Sequence, residues 1–105
     1  MSVSAAPFQA SAGNTPGSLM LSGVLDFATA PAVFAQSGEW FKPDICEIDL
    51  AGISKADSAA LAMLVVWAAQ VQWRGNTLSY RHVPEGLRAL AKSCAVDAVL
   101  NIRAD

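Results

Sequence analysis

The sequence is poor in charge, and that scarcity removes several classes of protein at once. Only 15% of its 105 residues are Asp, Glu, Lys or Arg, and the net charge is −2. A chain that is 53% hydrophobic and this sparsely charged is not a disordered one. The seven Lys and Arg residues are dispersed from Lys42 to Arg103, so no basic cluster exists to grip nucleic acid or anionic headgroups. A single histidine, His82, and two distant cysteines, Cys46 and Cys94, provide neither a CxxC pair nor an HExxH helix, and no metal or other cofactor is expected. Two buried thiols in a reducing compartment are the expectation. The opening MSVSAAPFQASAGN has neither a cationic n-region nor an apolar h-region, so no secretory signal is read there. The longest apolar run, Ala59 to Ala69, is far short of the roughly 20 residues that span a bilayer. A cytoplasmic location without direct membrane insertion follows as the expectation.

Catalytic signatures are also missing. No GxSxG elbow surrounds Ser58, and nothing in the spacing brings His82 to Ser58 and Asp57, so no triad is read. Gly75-Asn76-Thr77 lacks the Lys and upstream Gly of a Walker A loop. The chain is expected not to be an enzyme.

What is present is organised around residues 45–73. Ile45 to Leu50 predicts a buried strand, Ala51 to Asp57 a polar loop, and the Gly- and Pro-free run from Ser58 a long helix rich in Ala, Leu, Met and Gln. Asp57 and Ser58 stand at its start, where side-chain oxygens accept from free backbone N–H groups. At about 100° per residue the helix shows two apolar sides. Leu61, Leu64, Val65, Ala68 and Val71 make one, suited to packing on a sheet. Ala59, Ala62, Met63, Val66, Trp67 and Trp73 make the other, and a partner or a further element of the chain must cover it. The second option would place one of the two tryptophans in the core.

Around that unit, residues 1–6 are expected to fray. Phe8 to Ser11 and Ser18 to Ser22 predict a hairpin about the GNTPG turn, with Gly23 as punctuation. Thr29 and Pro31 open a short helix. Gly75–Asn76 ends the long helix, Thr77 to Arg81 alternates as a strand, and Pro84 to Ser93 forms a helix with Leu87, Leu90 and Ala91 inward. Val96 to Ile102 packs back as a last turn or short strand. The order β, β, α, β, α, β, α predicts a single α/β domain over residues 1–105. Its mixed sheet has an opening hairpin followed by parallel crossovers and is packed with helices.

Three stretches carry a family resemblance: SLMLSGVLDFATAP, EIDLAGISKADSAALAML and RGNTLSYRHVPEGLRALAKSCAVDAVL. In this order they resemble the STAS domain, the fold of anti-sigma factor antagonists and of sulfate-transporter tails. The hallmark is a strand ending in Asp-Leu, here Asp49–Leu50, then a loop, then Asp-Ser opening a helix, here Asp57–Ser58. Within the family the chain is most similar to the MlaB-like branch, the small soluble subunits of Mla phospholipid-transport ABC systems. That resemblance implies docking on the transporter's cytoplasmic ATPase subunit (MlaF-like), and through it on the membrane permease. It also implies a peripheral position at the inner membrane. The implied partner-binding residues are Asp57, Ser58, Ala59, Ala62, Met63, Val66 and Trp67. The alternative is an anti-sigma factor antagonist switched by phosphorylation of Ser58. Where such antagonists follow Asp-Ser with a small residue, Gly and Leu, this chain has Ala59, Ala60 and Leu61, which favours constitutive docking.

Overall fold

The computed structural model describes residues 8–103; the expected fraying of residues 1–6 lies outside them. Eight elements follow one another: β1 (Phe8–Ala12), β2 (Ser18–Leu25), α1 (Ala30–Ser37), β3 (Glu47–Ala56), α2 (Ser58–Trp73), β4 (Ser79–Arg81), α3 (Glu85–Ser93) and α4 (Asp97–Leu100). The strands make one sheet in the order β1-β2-β3-β4. β1 and β2 form the antiparallel hairpin, and β2–β3 and β3–β4 are parallel pairs joined through α1 and α2. The mixed sheet with an opening hairpin and parallel crossovers is the one the order of elements predicts. The tail does both things expected of it: α4 is a last turn, and Ile102 then bridges Tyr80 in parallel.

Two strands run further than their sequences suggest. β2 continues past Gly23 to Leu25, with slips of register at Met20/Ser22 and Gly23/Val24. Gly23 takes φ +103°, a conformation open to glycine, and so passes through the strand rather than ending it. β3 does not stop at Leu50; the expected loop AGISKA continues the strand to Ala56, paired with Ser22–Leu25 of β2. It reads as a loop because one edge and much of its surface face water, so its side chains are not held to alternation. Gly52 shows why the pairing works. A Cβ there would lie 2.7 Å from the Cβ of Ser22 and 3.0 Å from the Leu21 carbonyl oxygen.

Leu21 and Leu25 of β2, Ile48 and Leu50 of β3, Tyr80 of β4, Leu64 and Trp67 of α2, and Leu100 of α4 are fully buried. Tyr80 spans the layers: its hydroxyl donates to the Leu64 carbonyl oxygen at 2.7 Å, fixing α2 over the sheet. Burial also pushes the Tyr80 hydroxyl well above its ordinary pKa.

The second apolar side of α2 is only partly open, which corrects the expected docking face. Met63 and Trp67 are buried at 5% and 0% exposure. The cover comes from residues just before β3. Trp40 meets Trp67 edge-on at 5.8 Å, Phe41 lies against it at 5.8 Å, and Phe8 stacks on Trp40 at 5.6 Å. Trp67 Nε1 finds no hydrogen-bond acceptor in that aromatic nest. The cysteines also depart from expectation: both are free and exposed. Cys46 precedes β3 at the rim of the sheet, and Cys94 caps the C-terminus of α3. Neither position is under the helical layer.

Candidate functional site

The site is built where β3 hands the chain to α2. Asp57 adopts an extended conformation, and Ser58 is the first helical residue. Asp57 therefore takes the cap role that the sequence leaves open between the two. Its Oδ1 accepts from the Ala59 N–H at 2.8 Å. Its Oδ2 accepts from the Phe27 N–H at 3.1 Å, tying the β2–α1 loop to the head of α2. That loop is closed on itself. Asp26 Oδ1 accepts from the N–H groups of Ala28 (2.9 Å) and Thr29 (3.1 Å). The Thr29 hydroxyl donates to the Val24 carbonyl at 2.9 Å and accepts from the Asp26 N–H at 3.0 Å. Thr29 stands at the N-cap of α1, as its sequence suggests, but its hydroxyl is spent on the loop and not on the helix.

With the cap supplied by Asp57, the Ser58 side chain is exposed and makes no hydrogen bond among the described residues. Along α2 the exposed positions Ser58, Ala62, Val66, Ala69 and Trp73 form one stripe at steps of four, four, three and four, with Gln70 and Gln72 exposed at its two borders. Val66 is 38% exposed and Trp73 91%. Ala59 and Val65 are half-buried at its flanks. Drawn at about 100° per residue, the buried arc runs from Met63 through Trp67 to Leu61, and its border passes between Val66 and Met63. Of the seven expected contact residues, Ser58, Ala62 and Val66 are on the open stripe, Asp57 and Ala59 sit at its head, and Met63 and Trp67 belong to the core.

Ala69 and Trp73 complete the stripe, and Phe27 and Phe34 are exposed aromatics on the β2–α1 loop and α1. Phe27 is 73% exposed on the tied loop, and Phe34 of α1 is 47% exposed. A groove of about 630 Å³ between Gly38 and α2 is lined by Val65, Val66, Ala69, Gln70 and Trp73, with Arg74 at its end. Neither α1 nor α2 contains a charged residue. Phe27 had one legible signal, a large apolar residue inside a polar Asp-to-Thr turn; Phe34 follows the buried Val33 and so is turned off the core by about 100°. Mostly apolar area of this kind on a small protein suits docking to another protein.

Two of the residues weighed for a triad, His82 and Asp57, have other partners. His82 Nδ1 lies 3.0 Å from Asp49 Oδ1, whereas both oxygens of Asp57 are engaged by backbone N–H groups. Among the described residues no group of His, Cys, Asp and Glu could hold a metal ion, and no helix is long and apolar enough to cross a membrane.

A hairpin followed by parallel crossovers under a helical layer, with an Asp-capped helix leaving the long central strand, defines a STAS domain. The comparisons agree on this class. The fold matches the structure of the anti-sigma factor antagonist SpoIIAA in its unphosphorylated form, with a TM-score of 0.58 and 16% identity, over 88% of this chain and 96% of that one. No curated protein matches the sequence. A family model described as "Mlab, STAS domain" matches residues 8–101, and the chain belongs to that family. STAS domains act through protein–protein interaction and are generally non-catalytic binding or regulatory modules.

Proposed function

We propose that this chain is a non-catalytic, MlaB-like STAS subunit that binds the cytoplasmic ATPase of a phospholipid-transport ABC system and regulates or stabilises it. Docking runs through the helix that starts at Ser58. The observation that carries the reading is the uncharged stripe Ser58–Ala62–Val66–Ala69–Trp73, left open on a helix whose opposite side is buried. The family match supports the choice of partner. The energy source lies in the ATPase, and this subunit acts by binding one conformation of it better than another. It reaches the permease and the inner membrane only through that partner, and its role is in outer-membrane lipid asymmetry.

The test is titration of the purified chain into the ATPase subunit of a phospholipid-transport ABC system from the same source, followed by calorimetry and by ATP turnover. Val66→Asp places a charge in the middle of the stripe at a cost to the isolated domain of under about 1 kcal/mol. It should weaken binding at least tenfold while the domain stays folded. Undiminished affinity would remove this stripe from the interface.

One observation favours a second reading, an anti-sigma factor antagonist switched by phosphorylation. The Ser58 hydroxyl is exposed and unbonded at a helix N-terminus, where a phosphate is tolerated by the helix dipole. Capture from a lysate separates the two, since an ABC ATPase or an anti-sigma kinase is retained on the immobilised chain.

A further inference from the structure

The two edges of the sheet are treated differently. The β4 edge is closed: the Tyr80 N–H donates to the Asn101 carbonyl at 3.3 Å, and the Arg103 N–H donates to the Tyr80 carbonyl at 2.8 Å. β4 is also only three residues long and carries Arg81. The β1 edge has none of these protections among the described residues. Its sequence, FQASA, contains no charge and no proline, the devices that usually blunt an edge.

The hairpin register says which backbone groups are open. The Gly13 N–H donates to the Ser18 carbonyl at 2.9 Å, and the strand pairs continue as Ala12↔Leu19, Ser11↔Met20 and so on to Phe8↔Gly23. Hydrogen-bonded pairs alternate in an antiparallel ladder. Gln9 and Ser11 therefore turn their N–H and C=O groups to β2, and Phe8, Ala10 and Ala12 turn theirs outward. The same three residues bear the side chains of the helix-covered face, starting with the buried Phe8.

We infer that β1 pairs with β1 of a second copy of this chain, antiparallel about a two-fold axis at Ala10. This register sets Ala10 against Ala10 and Phe8 against Ala12, and it uses every open group of the strand, in about six backbone hydrogen bonds. It keeps like faces together, so the helical layers of the two copies lie on the same side of one continuous sheet. A groove of about 550 Å³ beside the strand, lined by Ala10, Ala12, Trp40 and Lys42 among others, has room there because Ala10 and Ala12 are small. The two-fold brings the Phe8–Trp40 stack of one copy to the Ala12 end of the other, twice. The strand is thus complementary to itself in hydrogen bonding, face and size. One five-residue strand per copy buries less than the about 1,200 Å² of stable interfaces, so the dimer is a weak one that forms at high protein concentration. This edge is distinct from the α2 stripe, and its test does not involve the ATPase.

The experiment combines sedimentation equilibrium of the whole chain with cysteine cross-linking in a Cys46→Ala, Cys94→Ala background. Ala10→Cys places two thiols on the axis at a Cα separation of about 5.5 Å, within disulfide range. It should cross-link at least tenfold faster than Gln9→Cys, which would face Ser11 of the mate. Ala10→Pro removes an outward N–H that β2 does not use; it should leave the circular dichroism unchanged and abolish dimerisation. A chain that stays monomeric to about 1 mM, or equal cross-linking at positions 9 and 10, overturns the inference. Should Ala10→Pro fail to fold, the cross-linking pair still decides.

Discussion

Asp57 holds two elements with two oxygens, and a graded series of substitutions can separate them. Asp57→Ala removes the cap on α2, about 1 kcal/mol, and the attraction of a carboxylate to the helix N-terminus, about 0.5 kcal/mol. It also removes the acceptor for the Phe27 N–H, about 0.5 kcal/mol because water replaces it on an exposed loop. The sum is about 2 kcal/mol, which lowers Tm by about 8–15 °C in a domain of this size. Asp57→Asn keeps one acceptor oxygen, and Asn caps as well as Asp. It should retain the bond to Ala59, lose the one to Phe27, and cost about 1 kcal/mol. Urea unfolding gives the energies, and amide hydrogen exchange gives the assignment. In Asp57→Asn the Phe27 amide should lose protection while the start of α2 keeps it. Equal losses for Asn and Ala, or a loss under about 0.5 kcal/mol for Ala, would refute the two-oxygen account.

Trp67→Ala should cost about 3–5 kcal/mol and threaten the fold. Trp67→Phe should cost less than about 2 kcal/mol because it also deletes the buried, unpaired Nε1–H; a Phe variant as damaged as the Ala variant in urea melts would contradict that. Tyr80→Phe should cost about 1 kcal/mol at neutral pH through the lost bond to Leu64. In the native chain burial keeps the Tyr80 hydroxyl protonated above the 10.0 at which an ordinary tyrosine ionises. The unfolded chain therefore releases that proton first, and stability present below pH 10 declines above it, by up to about 1.4 kcal/mol per pH unit. Unfolding between pH 8 and 11 should show this slope flattened in Tyr80→Phe; parallel curves would exclude the tyrosine as its source. Ser58→Asp, at the first position of α2, should leave Tm unchanged or slightly raised. It should bind the ATPase at least tenfold more weakly than Ser58→Ala, and equal affinities would take Ser58 out of the contact.

The order of elements and the sheet were legible because each signal was local. The Ala- and Leu-rich run could only be helix, Asp57–Ser58 marked its start, and the GNTPG turn marked the hairpin. What escaped depended on distant neighbours. The stretch AGISKA lacks any period, and its strand character exists because Gly52 lets β2 approach. The helical wheel displayed both apolar sides of α2 but not which was covered, since the cover, Trp40 and Phe41, lies in a segment with no periodic pattern of its own. Two residues of the expected docking side, Met63 and Trp67, were core for that reason. Phe27 and Phe34 were passed over because exposure of a single aromatic is decided by the path of the backbone around it.

Trp67 is enclosed by aromatic neighbours, Trp40 is half-buried against it, and Trp73 stands almost wholly in water at the far end of the open stripe. The chain thus carries its own optical probe. A soluble quencher should reach Trp73 most readily of the three and Trp67 least, and a blue shift of the Trp73 emission would report, without any label, when something has settled on α2.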